Sequence, residues 1–189
     1  MKEVKLTTPE QPCFIGAWYL PDISLCDEII NTYNTNAFRT SPGTIGPNII
    51  DTEVKDSIDS TLYDVPNLAN KFTSNLLTVL EQYKKKFPVI NEVDSFFLDS
   101  LNVQKYLKGA GYHGWHTERM GANFRHLVWM TYLNDIEEGG ETEFYYQKLK
   151  VKPRKGLTLI WPVDWTHTHR GIVAPDEEKM ILTGWFSFA

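Results

Sequence analysis

The chain has 189 residues, 42% of them hydrophobic and 23% charged, with a formal net charge of −5 at pH 7. That length suffices for one domain with a real core, and the acidic balance speaks against a general nucleic-acid binder, which would show a basic face. No run of about 18 apolar residues occurs, so no membrane span is expected, and residues 1–12 are polar without the apolar core of a secretory leader, so a cytoplasmic location is expected.

Cys13 and Cys26 form no CxxC or Cys/His framework and read as free thiols. The first half then reads as helical. Asp22 can cap a helix whose apolar positions Ile23, Cys26, Ile29, Ile30 and Tyr33 recur at helical spacing, fading near Asn34 to Asn36. Residues 40–48 hold Pro42, Gly43, Gly46 and Pro47 and read as loop. Pro66 starts a second helix through Leu68, Phe72, Leu76, Val79, Leu80 and Tyr83. It ends in Lys84, Lys85 and Lys86 before Pro88, and those lysines read as a solvated helix end favoured by the macrodipole.

From Phe96 the pattern changes. Strand-like runs at 97–107, 124–133, 142–146, 149–151, 157–161, 166–169 and 180–188 are divided by Gly, Pro and Asp, which suggests a sandwich or barrel. The expected organisation is one domain over 1–189: a helical support region at 1–95 and a strand-rich core at 96–189, in a mainly β, α+β fold.

All five histidines, His113, His116, His126, His167 and His169, lie between 113 and 169. His116 and Glu118 are two apart, so on a strand they share a face. A second imidazole from His167 or His169 would complete two histidines and one carboxylate, the facial triad of non-haem iron(II) oxygenases. Alternation does not choose between His167 and His169. A structural zinc site from His113, His116, His167 and His169 is the rival ligand set.

The phrases QKYLKGAGYHGWHTE, FRHLVWMTYLNDIEEGGETEF, VKPRKGLTLIW, HTHRG and KMILTGW stand in an order and spacing that resemble the 2-oxoglutarate/iron(II) dioxygenases of the prolyl 4-hydroxylase type. The resemblance spans roughly residues 102–188. It implies a double-stranded β-helix, a distorted cupin-like jelly roll, packed on support helices. It implies Fe(II), 2-oxoglutarate and O2, with ascorbate for reactivation, and a peptide or protein substrate hydroxylated at proline. His116, Glu118 and His169 fall on the iron ligands, and the spacing to Lys179 selects His169 over His167. Lys179 falls on the cation that binds the distal carboxylate of 2-oxoglutarate, with Tyr106, Tyr132 and Thr183 on the cosubstrate side. Arg125 and Trp115 fall near the mouth, where such enzymes hold peptide. The departure is Glu118, where the family has aspartate. The same core acting on a small metabolite, free amino acid or nucleobase is the nearest alternative, and a non-catalytic metal-binding jelly roll is the other.

Overall fold

The computed structural model describes residues 13–189 apart from 47, 94, 120 and 122. The leader reading of residues 1–12 and the loop position Pro47 therefore lie outside the described residues. Both helices form where apolar spacing places them, α1 at Ser24–Asn34 and α2 at Pro66–Lys86. The N-cap position of α1 is Ile23, without a side-chain cap; Asp22, expected to cap the helix, stands one residue earlier, where its Oδ1 accepts a hydrogen bond from the Ser24 backbone N–H at 3.0 Å. Leu25, Cys26 and Ile29 of α1 and Leu68, Phe72, Leu76, Val79, Leu80 and Tyr83 of α2 are buried on one stripe of each helix.

The strands in chain order are β1 (Gly16–Tyr19), β2 (Ser41–Pro42), β3 (Ile58–Thr61), β4 (Phe96–Leu98), β5 (Asn102–Tyr106) and β6 (Arg125–Tyr132). They continue with β7 (Thr142–Phe144), β8 (Leu149–Val151), β9 (Leu157–Pro162), β10 (His169–Gly171) and β11 (Lys179–Phe188). The larger sheet runs β1-β9-β6-β11-β5-β3-β2, with β4 paired to the far end of β11; the smaller runs β10-β7-β8. All pairings are antiparallel. This is the expected jelly roll.

Alternation along β11 separates two environments. Met180, Leu182 and Phe186 join Phe72, Leu76, Tyr83 and Trp129 in a core shared with the helices. Lys179, Ile181, Thr183 and Trp185 face the cavity on the other side of the larger sheet. The helices therefore buttress one face of that sheet and leave the other for a site.

Three departures from the sequence reading have local causes. β1, β2 and β3 lie in the half that reads as helical, and add edges to the larger sheet; at two to four residues they are too short to establish a period. The run 97–107 splits into β4 and β5, which pair with opposite ends of β11. The chain crosses at Ser100, whose carbonyl sits where a side chain on Gly184 would stand. The expected strand at 166–169 is instead a 3-10 turn at Trp165–His167, with β10 starting only at His169. The turn is closed by His167 N–H on Asp164 O and by the Thr168 hydroxyl on Trp165 O.

Candidate active site

His116 and His169 meet through the backbone. Each N–H donates to the other's carbonyl at 3.0 Å, an isolated antiparallel bridge that sets the two imidazoles side by side with ring centroids 4.3 Å apart. The Glu118 backbone N–H donates to Val163 O at 3.2 Å, which turns its carboxylate toward both rings. Glu118 Oε1 lies 3.6 Å from His116 Nε2 and 3.8 Å from His169 Nε2. Among the described residues, this is the one group of three or more metal-ligating side chains whose ligand atoms all lie within 4.8 Å of one another.

The tautomers are fixed by the backbone. His116 Nδ1 is 2.9 Å from Gly114 O and His169 Nδ1 is 2.9 Å from His167 O. A carbonyl only accepts, so each Nδ1 carries the hydrogen and each neutral ring presents a bare Nε2 to the shared point. Burial, and then the neighbouring His116, hold the His169 imidazole down at about 3, so it stays neutral at physiological pH. Burial alone would push the Glu118 carboxyl up. Its neighbours His116, His169 and Arg125 outweigh that burial and keep the Glu118 carboxylate ionised. Two neutral imidazoles and one carboxylate are the donor set of a divalent cation site with open positions.

The three ligand atoms open into a cavity of about 570 Å³ between the sheets. At its wall Lys179 is buried, with Nζ donating to Gly140 O at 3.2 Å and lying 4.9 Å from the Tyr106 ring centroid. Among the described residues no carboxylate stands within ion-pair distance of it. Burial depresses the ammonium to about 8, with Glu141 opposing. A buried cation satisfied only by a carbonyl is costly unless an anion joins it.

Residues 101–187 match the family model described as the 2OG-Fe(II) oxygenase superfamily. This segment is similar to the core of that superfamily. Its likeness is to prolyl 4-hydroxylases. Probable prolyl 4-hydroxylase 9 of Arabidopsis thaliana is 29% identical over 115 residues, 46% of this chain and 40% of that protein. Prolyl 4-hydroxylase 13 of the same plant is 24% identical over 135 residues, 57% of this chain and 49% of that protein. The chain thus spans less than half the length of these curated relatives. In fold it is similar to the viral collagen prolyl hydroxylase of Paramecium Bursaria Chlorella virus-1, solved with 2-oxoglutarate (TM-score 0.65, 18% identity, 93% of this chain and 97% of that one). It is also similar to the Trichoplax adhaerens prolyl hydroxylase solved with a hypoxia-inducible-factor peptide (TM-score 0.71, 16% identity, 92% and 83%).

The oxygenase family implies iron(II), 2-oxoglutarate and dioxygen, and the residues present fit them. Two ligand atoms about 2.1 Å from a shared ion lie about 3.0 Å apart at right angles and about 4.2 Å apart when opposed. The separations of 3.6 and 3.8 Å fall between those limits. Lys179 supplies the unmatched buried cation that a dicarboxylate needs.

Other expected site residues fall in distinct places. Tyr106, Thr183 and Arg125 line the cavity with the triad and Lys179. Tyr106 OH donates to Gln104 Oε1 at 2.8 Å, and Thr183 Oγ1 to Trp129 O at 2.8 Å. Tyr132 packs behind the wall; its hydroxyl donates to Thr142 Oγ1 at 2.6 Å and contacts Val151 O at 3.0 Å, and it is Thr142 that reaches the cavity. Trp115 stands on the surface, 39% exposed, with the Arg170 guanidinium 4.4 Å over its ring. His167 turns away, with Nε2 on Cys13 O, so the four-histidine zinc set does not assemble.

Sequence reasoning misses Asn102, Gln104, Tyr112 and Lys55 of the cavity lining. Asn102 and Gln104 carry a usable signal: they alternate with apolar Val103 and share the face of Tyr106 on β5. Tyr112 stacks on His116 at 3.7 Å, a contact made in an irregular segment. Lys55 arrives from the first half, buried and paired with Asp59 at 2.6 Å, and no local pattern marks it.

Proposed function

We propose that the chain is an Fe(II)/2-oxoglutarate-dependent oxygenase that hydroxylates a C–H bond of a prolyl residue in a peptide or protein. The observation that carries this reading is the convergence of two bare Nε2 atoms and one carboxylate oxygen in a cavity walled by an unmatched buried lysine. The likeness to prolyl hydroxylases supports the substrate class.

When bound, iron and 2-oxoglutarate supply oxidative chemistry: one atom of dioxygen enters the substrate C–H bond as hydroxyl, and the other leaves in succinate as carbon dioxide is released. The chain's residues do the rest. His116, Glu118 and His169 hold the ion. Lys179 receives the far carboxylate of 2-oxoglutarate through a charge-assisted contact, with Tyr106 and Thr183 beside it and Tyr132 steadying Thr142. Val128, Met130, Trp161 and Ile181 line the cavity with apolar surface that limits water. Trp115 and Arg170 form a rim on which a peptide can lie. Ascorbate is the proposed reactivating reductant. A cytoplasmic setting accords with two unpaired cysteines, exposed Cys13 and buried Cys26. Among the described residues no helix is long and apolar enough to cross a membrane.

The test is succinate release and a 16 Da mass gain on proline-containing peptides. Activity is expected in the unaltered protein and lost, with the far-ultraviolet dichroism kept, in His116→Ala and His169→Ala. Succinate release retained by both variants would contradict the ligand assignment; turnover without any gain on proline would move the substrate to another class.

A further inference from the structure

Glutamate in place of aspartate puts an extra rotatable bond into the carboxylate ligand. A free glutamate could chelate through both oxygens, as carboxylates do at divalent cations. That would take a position the site needs open for cosubstrate and dioxygen.

Here the outer oxygen is already engaged. Trp185 Nε1–H donates to Glu118 Oε2 at 3.1 Å and Arg125 Nη1–H donates to the same atom at 3.3 Å. The guanidinium lies 3.3 Å from the Trp185 ring centroid, so the two donors also brace each other. Arg125 reaches the Glu118 carbonyl as well, at 3.4 Å, and Asn123 donates to that carbonyl at 2.9 Å. The main chain of Arg125 is pinned in turn: Arg119 donates to its carbonyl at 2.8 Å while holding Asp164 at 2.6 Å.

The backbone is shaped to deliver Arg125. On β6, Leu127 and Trp129 face the helical core while Val128 and Met130 face the cavity. Strict alternation would send Arg125 to the helical side. The register breaks between Phe186 and Ser187, which pair with Leu127 and Arg125, leaving His126 as an extra residue. That bulge switches Arg125 to the cavity face, where it lines the site.

We propose that Arg125 and Trp185 are positioning residues that keep Oε2 of Glu118 off the metal, so that the longer carboxylate of this chain coordinates through Oε1 alone. This rests on the metal-centre reading above and gives Arg125 a role in the site before any peptide arrives. Trp185→Phe removes the N–H and keeps a ring; Arg125→Met removes the donors and keeps much of the stem. Leu182→Val, on the opposite face of β11, is the control for general loosening.

The experiment titrates Co(II) into each protein, reading the dissociation constant by calorimetry and the visible d–d spectrum at saturation. Partners that orient a metal ligand are typically worth about 10–100-fold in affinity. Trp185→Phe and Arg125→Met are expected to bind Co(II) about tenfold more weakly and to show an altered saturated spectrum, as freed Oε2 changes the coordination. Leu182→Val is expected to keep the unaltered protein's spectrum. A saturated spectrum unchanged in both variants, at whatever affinity, overturns the clamp. A change of equal size in Leu182→Val overturns it too. Failure of the unaltered protein to bind Co(II) overturns the metal-centre reading itself, and the clamp with it.

Discussion

Lys179 and the triad divide the site's work by charge. Burial weakens the Lys179 ammonium to about 8, with Gly140 O as its hydrogen-bond acceptor. Its ordinary value in the unfolded chain is 10.5, so between the two the unfolded chain holds more protons. Stability of the cosubstrate-free protein from this group therefore rises with pH across about 8 to 10.5. A protonated Lys179 costs the empty protein stability that a bound carboxylate restores. Lys179→Met is expected to raise the melting temperature at pH 7 without 2-oxoglutarate. It should also weaken 2-oxoglutarate binding by about 10–100-fold, the worth of a charged hydrogen bond of about 1.5–3 kcal/mol. In the unaltered protein, calorimetric affinity for 2-oxoglutarate should decline as pH rises above about 8. A flat affinity profile with no loss in Lys179→Met would place the dicarboxylate elsewhere. His116 and Glu118 are legible in the sequence from chemistry and spacing, and His169 and Lys179 through the family resemblance. Tyr112, Lys55 and the clamp around Glu118 are not, because each depends on contacts between distant segments.

At the scale of elements, β11 is the strand on which the site depends. It pairs with β5, β6 and β4 and presents Lys179, Thr183 and Trp185 on one face. Gly184 faces the crossing at Ser100, and a side chain there would collide with that residue's backbone carbonyl. Gly184→Ala is expected to destabilise the fold by about 1–3 kcal/mol, read as a lower urea midpoint with the slope kept. An unchanged midpoint would show that the crossing can move aside. α2 is legible because 21 residues give its apolar stripe several turns. β6 and β11 are legible as long β-rich runs. The division of 97–107 is not, since it follows from which strand each part meets. The bulge at His126 is equally silent, although it decides the direction of Arg125.

Across the whole molecule, one wide antiparallel sheet serves two purposes. Its outer face is sealed by α1 and α2 through Phe72, Leu76, Trp129 and Leu182, and its inner face, opposite β10-β7-β8, forms a half-polar cavity. The family match covers residues 101–187, yet the structural likeness reaches more than nine-tenths of the chain. The first half is therefore held by shape where its sequence carries no family phrase. Its strands β1, β2 and β3 complete the sheet edges, and Lys55 and Asp59 reach the cavity. The measurement that bears most directly on the iron and 2-oxoglutarate assignment is an anaerobic visible titration of the apoprotein with Fe(II) and 2-oxoglutarate. A weak charge-transfer band that requires both additions, and is lost in His169→Ala, is the predicted result. A folded protein that binds iron and gives no band when 2-oxoglutarate is added would contradict it.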